Sequence, residues 1–104
     1  MNRLYVVVRS DIGAGLQLAQ ACQAVAAFGS SFPGPFAAWH HGKSNIVCLQ
    51  ARNEVHLREL FAALAPDALS ASFHEPDLDG AMTALACDKR PKVWSSLPLA
   101  LKAA

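Results

Sequence analysis

Residues Arg9 to Phe28, RSDIGAGLQLAQACQAVAAF, decide the fold, because they hold the end of a strand, a glycine-hinged loop and a helix built for close packing. Upstream, Leu4, Tyr5, Val6, Val7 and Val8 form the β-branched and aromatic run that a strand covered on both faces requires. Gly13 and Gly15 permit backbone conformations or close approaches denied to other residues. From Leu16 to Phe28 there is no Gly, no Pro and much Ala, which predicts a helix. Leu18, Ala21, Cys22, Val25 and Phe28 fall at helical spacing and are expected to face the core. Gln17, Gln20 and Gln23 repeat on an opposite, polar but uncharged face.

Further along, two prolines and a glycine in Ser30 to Pro35 predict a loop. A short helix over Phe36 to His41, anchored by Trp39, closes at Gly42. Asn45 to Gln50 reads as a second strand, apolar at its centre and expected inside the sheet beside the first. Asn53 caps a helix running to about Ala65, with Leu57, Leu60, Phe61 and Leu64 as its core stripe. Leu69 to His74 alternates as a half-exposed strand does, Glu75 to Met82 is an acidic turn, and Thr83 to Cys87 is a final strand antiparallel to the one before. A closing segment, interrupted at Pro98, ends the chain. This order implies a single α/β domain over residues 1–104 with a mixed sheet and helices on its faces, the first two strands parallel through a right-handed crossover.

Composition narrows the function. Apolar residues make up 53% of the chain and charged residues 16%, which argues against disorder and for a surface poor in charge. Together with Trp94, Leu97, Leu99 and Leu101, expected to lie exposed near the C-terminus, that surface predicts a homodimer. Nine Lys plus Arg against eight Asp plus Glu leave a net charge of +1 and no global field for a polyanion, so any RNA contact must be local. The apolar start ends at Arg9 and Asp11, short of a signal peptide, and no later run is long enough to span a bilayer; a cytoplasmic location is expected. Cys22, Cys48 and Cys87 lack CxxC spacing and read as buried, reduced thiols, and the histidines have no ligand spacing, so no metal or other cofactor is expected.

Three stretches carry candidate chemistry. A strand, a glycine loop and a helix N-terminus can hold a phosphate, but Asp11 to Gln17 lacks the dinucleotide motif's third glycine, with Leu18 in its place, and the P-loop's Gly-Lys pair. The plainer reading is a loop whose glycines let the helix sit close to the sheet. In His74 to Thr83, Asp77 and Asp79 suit a solvated turn. Glu75 ends a strand at the edge where α/β sites form, and Thr83 faces it from the next strand. Lys89, Arg90 and Lys92 form a basic cluster, more often plain surface than a phosphate clamp.

Taken together, VVVRSDIGAG followed by LAQACQAVAAF resembles the opening of the type 2 peptidyl-tRNA hydrolases, in which a V-V-R-x-D-L strand end leads through a glycine-lysine loop to an A-A-Q-x-x-H-A-A helix. The likeness extends over roughly residues 3 to 90, through Trp39, Gly42, FHEPD and Thr83-Ala84-Leu85. It implies a three-layer α/β/α fold with a mixed, mainly parallel four-stranded sheet, often dimeric, and hydrolysis of the ester between a peptidyl or N-blocked aminoacyl group and tRNA without a metal. Arg9, Asp11, Gln20 and Thr83 match the family motif. The loop lysine falls on Leu16 or Gln17, the helix histidine is Gln23, and the aspartate is Glu75, which together imply reduced activity. On this resemblance Glu75, Thr83 and Gln20 are the catalytic set, and Arg9, Asp11, Gln17, Gln23, Lys89, Arg90 and Lys92 bind substrate. The alternative is a non-catalytic module that binds RNA or a small ligand on the same fold; a hydrolase of metabolites is a third reading.

Overall fold

The first strand, β1 (Arg3–Arg9), carries core on both faces in the computed structural model of the chain, which describes residues 1–102. Leu4, Val6 and Val8 point to one side, where α1 (Ala14–Ser31) and α2 (Pro33–His41) contribute Ala24, Phe28 and Trp39. Val7 points to the other and meets Leu57 and Leu60 of α3 (Glu54–Ala62) together with Trp94. β1 pairs in parallel with β2 (Asn45–Ala51), Arg3 opposite Asn45 and Arg9 opposite Ala51. On its other side it pairs antiparallel with β4 (Ala81–Cys87), which pairs antiparallel with β3 (Ser70–Glu75). The result is an α/β domain with a mixed sheet in the order β2-β1-β4-β3 and three α-helices.

The mainly parallel sheet is therefore corrected: one neighbouring pair is parallel and two are antiparallel. The reason is the short link between β3 and β4, a single 3₁₀ turn at Pro76–Leu78 followed by Asp79 and Gly80. A parallel return needs a dozen or more residues. Asp79 and Gly80, at φ 56° and 75°, supply the two left-handed positions that turn the chain back so tightly. β2 is likewise an edge strand, not an interior one. The closing segment stands beside it, with the Gln50 N–H donating to Pro98 O (3.0 Å) and the Ala100 N–H to Cys48 O (2.9 Å). The chain thus shields its own apolar edge.

That closing segment also corrects the exposed C-terminal patch. Trp94 is fully buried, its Nε1–H donating to Leu60 O at 3.2 Å, and Leu97 packs against the same core, while Leu99 and Leu101 are exposed. The expected loop at 30–35 is helical. α1 runs on to Ser31 and α2 begins at Pro33, where a proline costs no hydrogen bond because first-turn N–H groups have no intrahelical partner. Gly29 sits at the join because a Cβ there would meet the Phe36 ring at 3.2 Å.

The face of α1 is rotated from expectation: Phe28 is buried, Ala21 and Val25 pack partly buried against the same core and Gln23 is exposed, all as expected, but the other positions change sides. Gln17, Gln20, Ala24 and Phe28 are buried against the sheet, whereas Leu18 and Cys22 are exposed. α1 lies over β4, β3 and β1 and leaves the same face of β2 uncovered, so Leu18, Cys22 and Val25 line an apolar groove with Ile46 and Cys48. Of the three thiols only Cys87 is fully buried. As the sequence requires, Asn53 caps α3, its Oδ1 accepting the His56 N–H at 2.9 Å. No helix among the described residues is long and apolar enough to cross a membrane.

Candidate functional site

The end of β1, the end of β3, the start of β4 and the first turns of α1 meet at one edge of the sheet. Burying glutamines beneath a helix is costly unless each amide finds partners, and those partners organise this edge. Gln20, 2% exposed, accepts from the fully buried Thr83 Oγ1 (2.5 Å) and donates through Nε2 to Oε1 of the half-buried Glu75 (3.3 Å). A chain of donors thus runs from β4 through α1 to β3 and fixes one oxygen of Glu75. The other oxygen has no hydrogen-bond partner among the described residues.

One turn earlier, Gln17 donates through Nε2 to Ile12 O (2.7 Å) and Ser10 O (3.3 Å), which ties the β1–α1 loop to the helix. Its Oε1 is buried and unpartnered. Gln17 is a loop clamp, and its amide is turned inward rather than towards a substrate. The first turn of α1 has no side-chain cap and no acidic residue, so its N–H groups and positive dipole end are free at this edge.

Arg9 and Asp11 form a forked pair at the end of β1, Nε to Oδ1 at 2.8 Å and Nη2 to Oδ2 at 3.0 Å, and Arg9 Nη1 reaches Met82 O at 3.4 Å. The bonds between them hold the Arg9 guanidinium above its usual range and the Asp11 carboxyl below its own. Glu54, in the first turn of α3, joins this edge. Its Oε2 accepts the Met82 N–H at 2.8 Å and Arg58 Nη2 at 3.0 Å, and the Met82 bond is the first cause of its lowered pKa. It pins the start of β4 beside Thr83. Its place in the first turn of α3, four residues before Arg58, was the available signal, but only the fold supplies Met82.

The sequence-named residues divide accordingly. Gln20, Thr83 and Glu75 are joined by hydrogen bonds, and Arg9, Asp11 and Gln17 lie at the same edge. Gln23 is exposed a turn further along α1. Lys89, Arg90 and Lys92 lie beyond the far end of β4, roughly 20 Å away by the rise of a strand. The structure does not bring them to this site: Lys89 pairs with Asp67 at 2.6 Å, and Arg90 lies over the Tyr5 ring, 5.5 Å from its centre. No group of three or more His, Cys, Asp or Glu suited to a metal occurs among the described residues. No known family's sequence model matches the chain, and no curated protein matches it.

Proposed function

We propose that the chain hydrolyses the ester between a peptidyl or N-blocked aminoacyl group and the ribose of tRNA, on the three-layer α/β/α fold of the type 2 peptidyl-tRNA hydrolases. The observation that carries this reading is the relay from Thr83 through Gln20 to Glu75, which leaves one Glu75 oxygen fixed by the protein and the other free for a water. Glu75 takes a proton from that water as it attacks the ester carbonyl, and returns the proton to the departing ribose oxygen as the tetrahedral intermediate collapses. Free N–H groups in the first turn of α1 stabilise the developing oxyanion. Gln20 and Thr83 act through Glu75 as positioning residues, since both are buried.

Leu16 and Gln17 stand where the resemblance expects a lysine, and Arg9 is engaged by Asp11. The oxyanion therefore meets neutral donors, whose bonds are roughly half as strong as charge-assisted ones, and turnover is slower than in lysine-bearing enzymes. The same two features, buried Gln20 and Thr83 and the missing lysine, favour the second reading, a module that binds RNA 3′ ends without cleaving them.

Release of labelled N-acetyl-amino acid from its tRNA separates the two. Turnover by the parent, reduced ~10² to 10⁴-fold in Glu75→Gln with an unchanged denaturation midpoint, is the expected result. Turnover unaffected by Glu75→Gln removes Glu75 as the base, and no turnover above buffer leaves the binding module.

A further inference from the structure

At the opposite end of the sheet, where β1 and β2 begin, a cleft of about 320 Å³ is lined by Asn2, Arg3, Tyr5, Lys43, Asn45 and Asp88. Its size is near the lower end of small-molecule sites, enough for one compact ligand. Its charge is lopsided. Arg3 and Lys43 line it, and Arg90 lies over the ring of the lining Tyr5, 5.5 Å from its centre. None of these three cations has an ion-pair partner among the described residues, whose pairs are Arg9–Asp11, Arg58–Glu54 and Lys89–Asp67. The one lining carboxylate, Asp88, is occupied in part by the Leu69 N–H, which donates to Oδ1 at 2.8 Å. In a chain whose net charge is +1, two lining cations against one lining carboxylate make the cleft net positive.

The frame around the cleft is firm. The Gly42 and Ser44 N–H groups both donate to Trp39 O, at 3.2 and 3.1 Å, and Trp39 Nε1–H donates to Asn45 O at 2.8 Å. Ser44 takes a left-handed conformation at φ 54°, which a residue other than glycine adopts only where its surroundings impose it. The turn that presents Lys43 is thereby held to the start of β2 by a buried tryptophan. Asn2 and Asn45 add side-chain amides that both donate and accept. The Arg90 guanidinium lies over the Tyr5 ring, its central carbon 5.5 Å from the ring centre.

We propose that this cleft is a second binding site, for a phosphate carried by a nucleotide, either free or within an RNA strand. Arg3 and Lys43 hold the phosphate, the Asn2 and Asn45 amides meet the sugar or base edge, and the base stacks on Arg90 over Tyr5. The site is independent of Glu75 chemistry and lies at the other end of the sheet from it. Of the basic residues after β4, it uses Arg90 and leaves Lys89 to Asp67.

The test is titration of the intact protein, at low and at moderate salt, with inorganic phosphate, AMP and a short single-stranded oligoadenylate. The comparison is with an Arg3→Ala/Lys43→Ala double variant and with Arg52→Ala, which removes one charge at the opposite end. All three altered residues are exposed, so folding is retained. Binding should weaken at least ~10-fold in the double variant and less than about twofold in Arg52→Ala, and the oligonucleotide's log–log salt slope should shrink by about 1.4, the value for two lost contacts to a single strand. Binding of AMP in competition with phosphate assigns a free nucleotide; binding of the oligonucleotide alone assigns an RNA strand. No binding of any probe at low salt, or equal weakening by the double variant and Arg52→Ala, overturns the proposal.

Discussion

The two ends of the sheet solve the placement of polar groups in opposite ways. At the carboxyl end of β1, Gln20 and Thr83 are buried and bond to each other and to Glu75, and Arg9 is forked onto Asp11. At the amino end, Arg3 and Lys43 line a cleft and Arg90 lies over its Tyr5, with no counter-charge bonded to any of the three among the described residues. Buried polar groups depend on one another, so a change in one is felt by its partners. Exposed charges act through solvent and are nearly independent. The first end is therefore sensitive to single changes in stability, and the second shows its changes mainly in ligand binding.

At neutral pH the largest stability effect should come from Thr83→Val, which keeps the shape and removes the donor to Gln20 Oε1. Leaving that buried acceptor without its partner costs about 1 to 3 kcal/mol, whereas Arg90→Ala at the other end should stay within about 0.5 kcal/mol. Denaturant midpoints measure both. Adding Gln20→Leu to Thr83→Val should cost less than the sum of the single changes, because the double variant leaves no unpaired group between them. Strict additivity would break the contrast between the two ends.

The next effect sharpens the contrast through pH. Cys87, fully buried at the amino end, has its thiol pushed up to about 12, mainly by burial. Below the unfolded thiol's pKa of ~8.5 its contribution to stability is complete. As the pH rises above that value the unfolded chain ionises and the folded one does not, so stability falls until about pH 12. The slope from this one group is at most about 1.4 kcal/mol per pH unit. Thermal midpoints between pH 8 and 11 should decline less steeply in Cys87→Ala than in the parent. Parallel declines would show that the thiol ionises as readily folded as unfolded.

The smallest effect belongs to the carboxyl end in acid. Arg9 depresses the Asp11 carboxyl, so the pair's stabilisation is present above the unfolded pKa of ~3.9 and is lost as the pH falls through the lower folded value. Asp11 is more than a third exposed, and solvent screening keeps the contribution under about 1 kcal/mol. Asp11→Asn should therefore destabilise slightly at pH 7, by a gap that narrows steadily as the pH falls below ~3.9. A gap that stays constant as the pH falls would assign the loss to something other than the charge.

Much of this architecture is legible in the residues. The apolar run Leu4 to Val8, the Asn53 cap and the alternation ending at His74 mark β1, α3 and β3 because each depends on local spacing and local hydrogen bonds. The face of α1 is not legible in the same way. From Ala14 to Ser31 the helix holds no charged residue, so nothing in its own sequence marks a side for water. Gln17 and Gln20 are buried because their partners at Ser10, Ile12, Glu75 and Thr83 are brought beneath them, and the last two lie 55 and 63 residues from Gln20.

The sequence by itself thus determined the strands, the cap of α3, the parallel pairing of β1 with β2 and the grouping of Gln20 and Thr83 with Glu75 as one candidate set. These follow from hydrophobic period, capping and the resemblance of aligned residues. Only the tertiary structure decided that β2 is an edge strand shielded by residues 98–100, that Trp94 is core, and that Lys89, Arg90 and Lys92 stand at the far end of the sheet from Glu75. Those outcomes depend on which strands are neighbours and in which direction each runs. That choice is made by contacts between residues far apart in the chain, which no local pattern records.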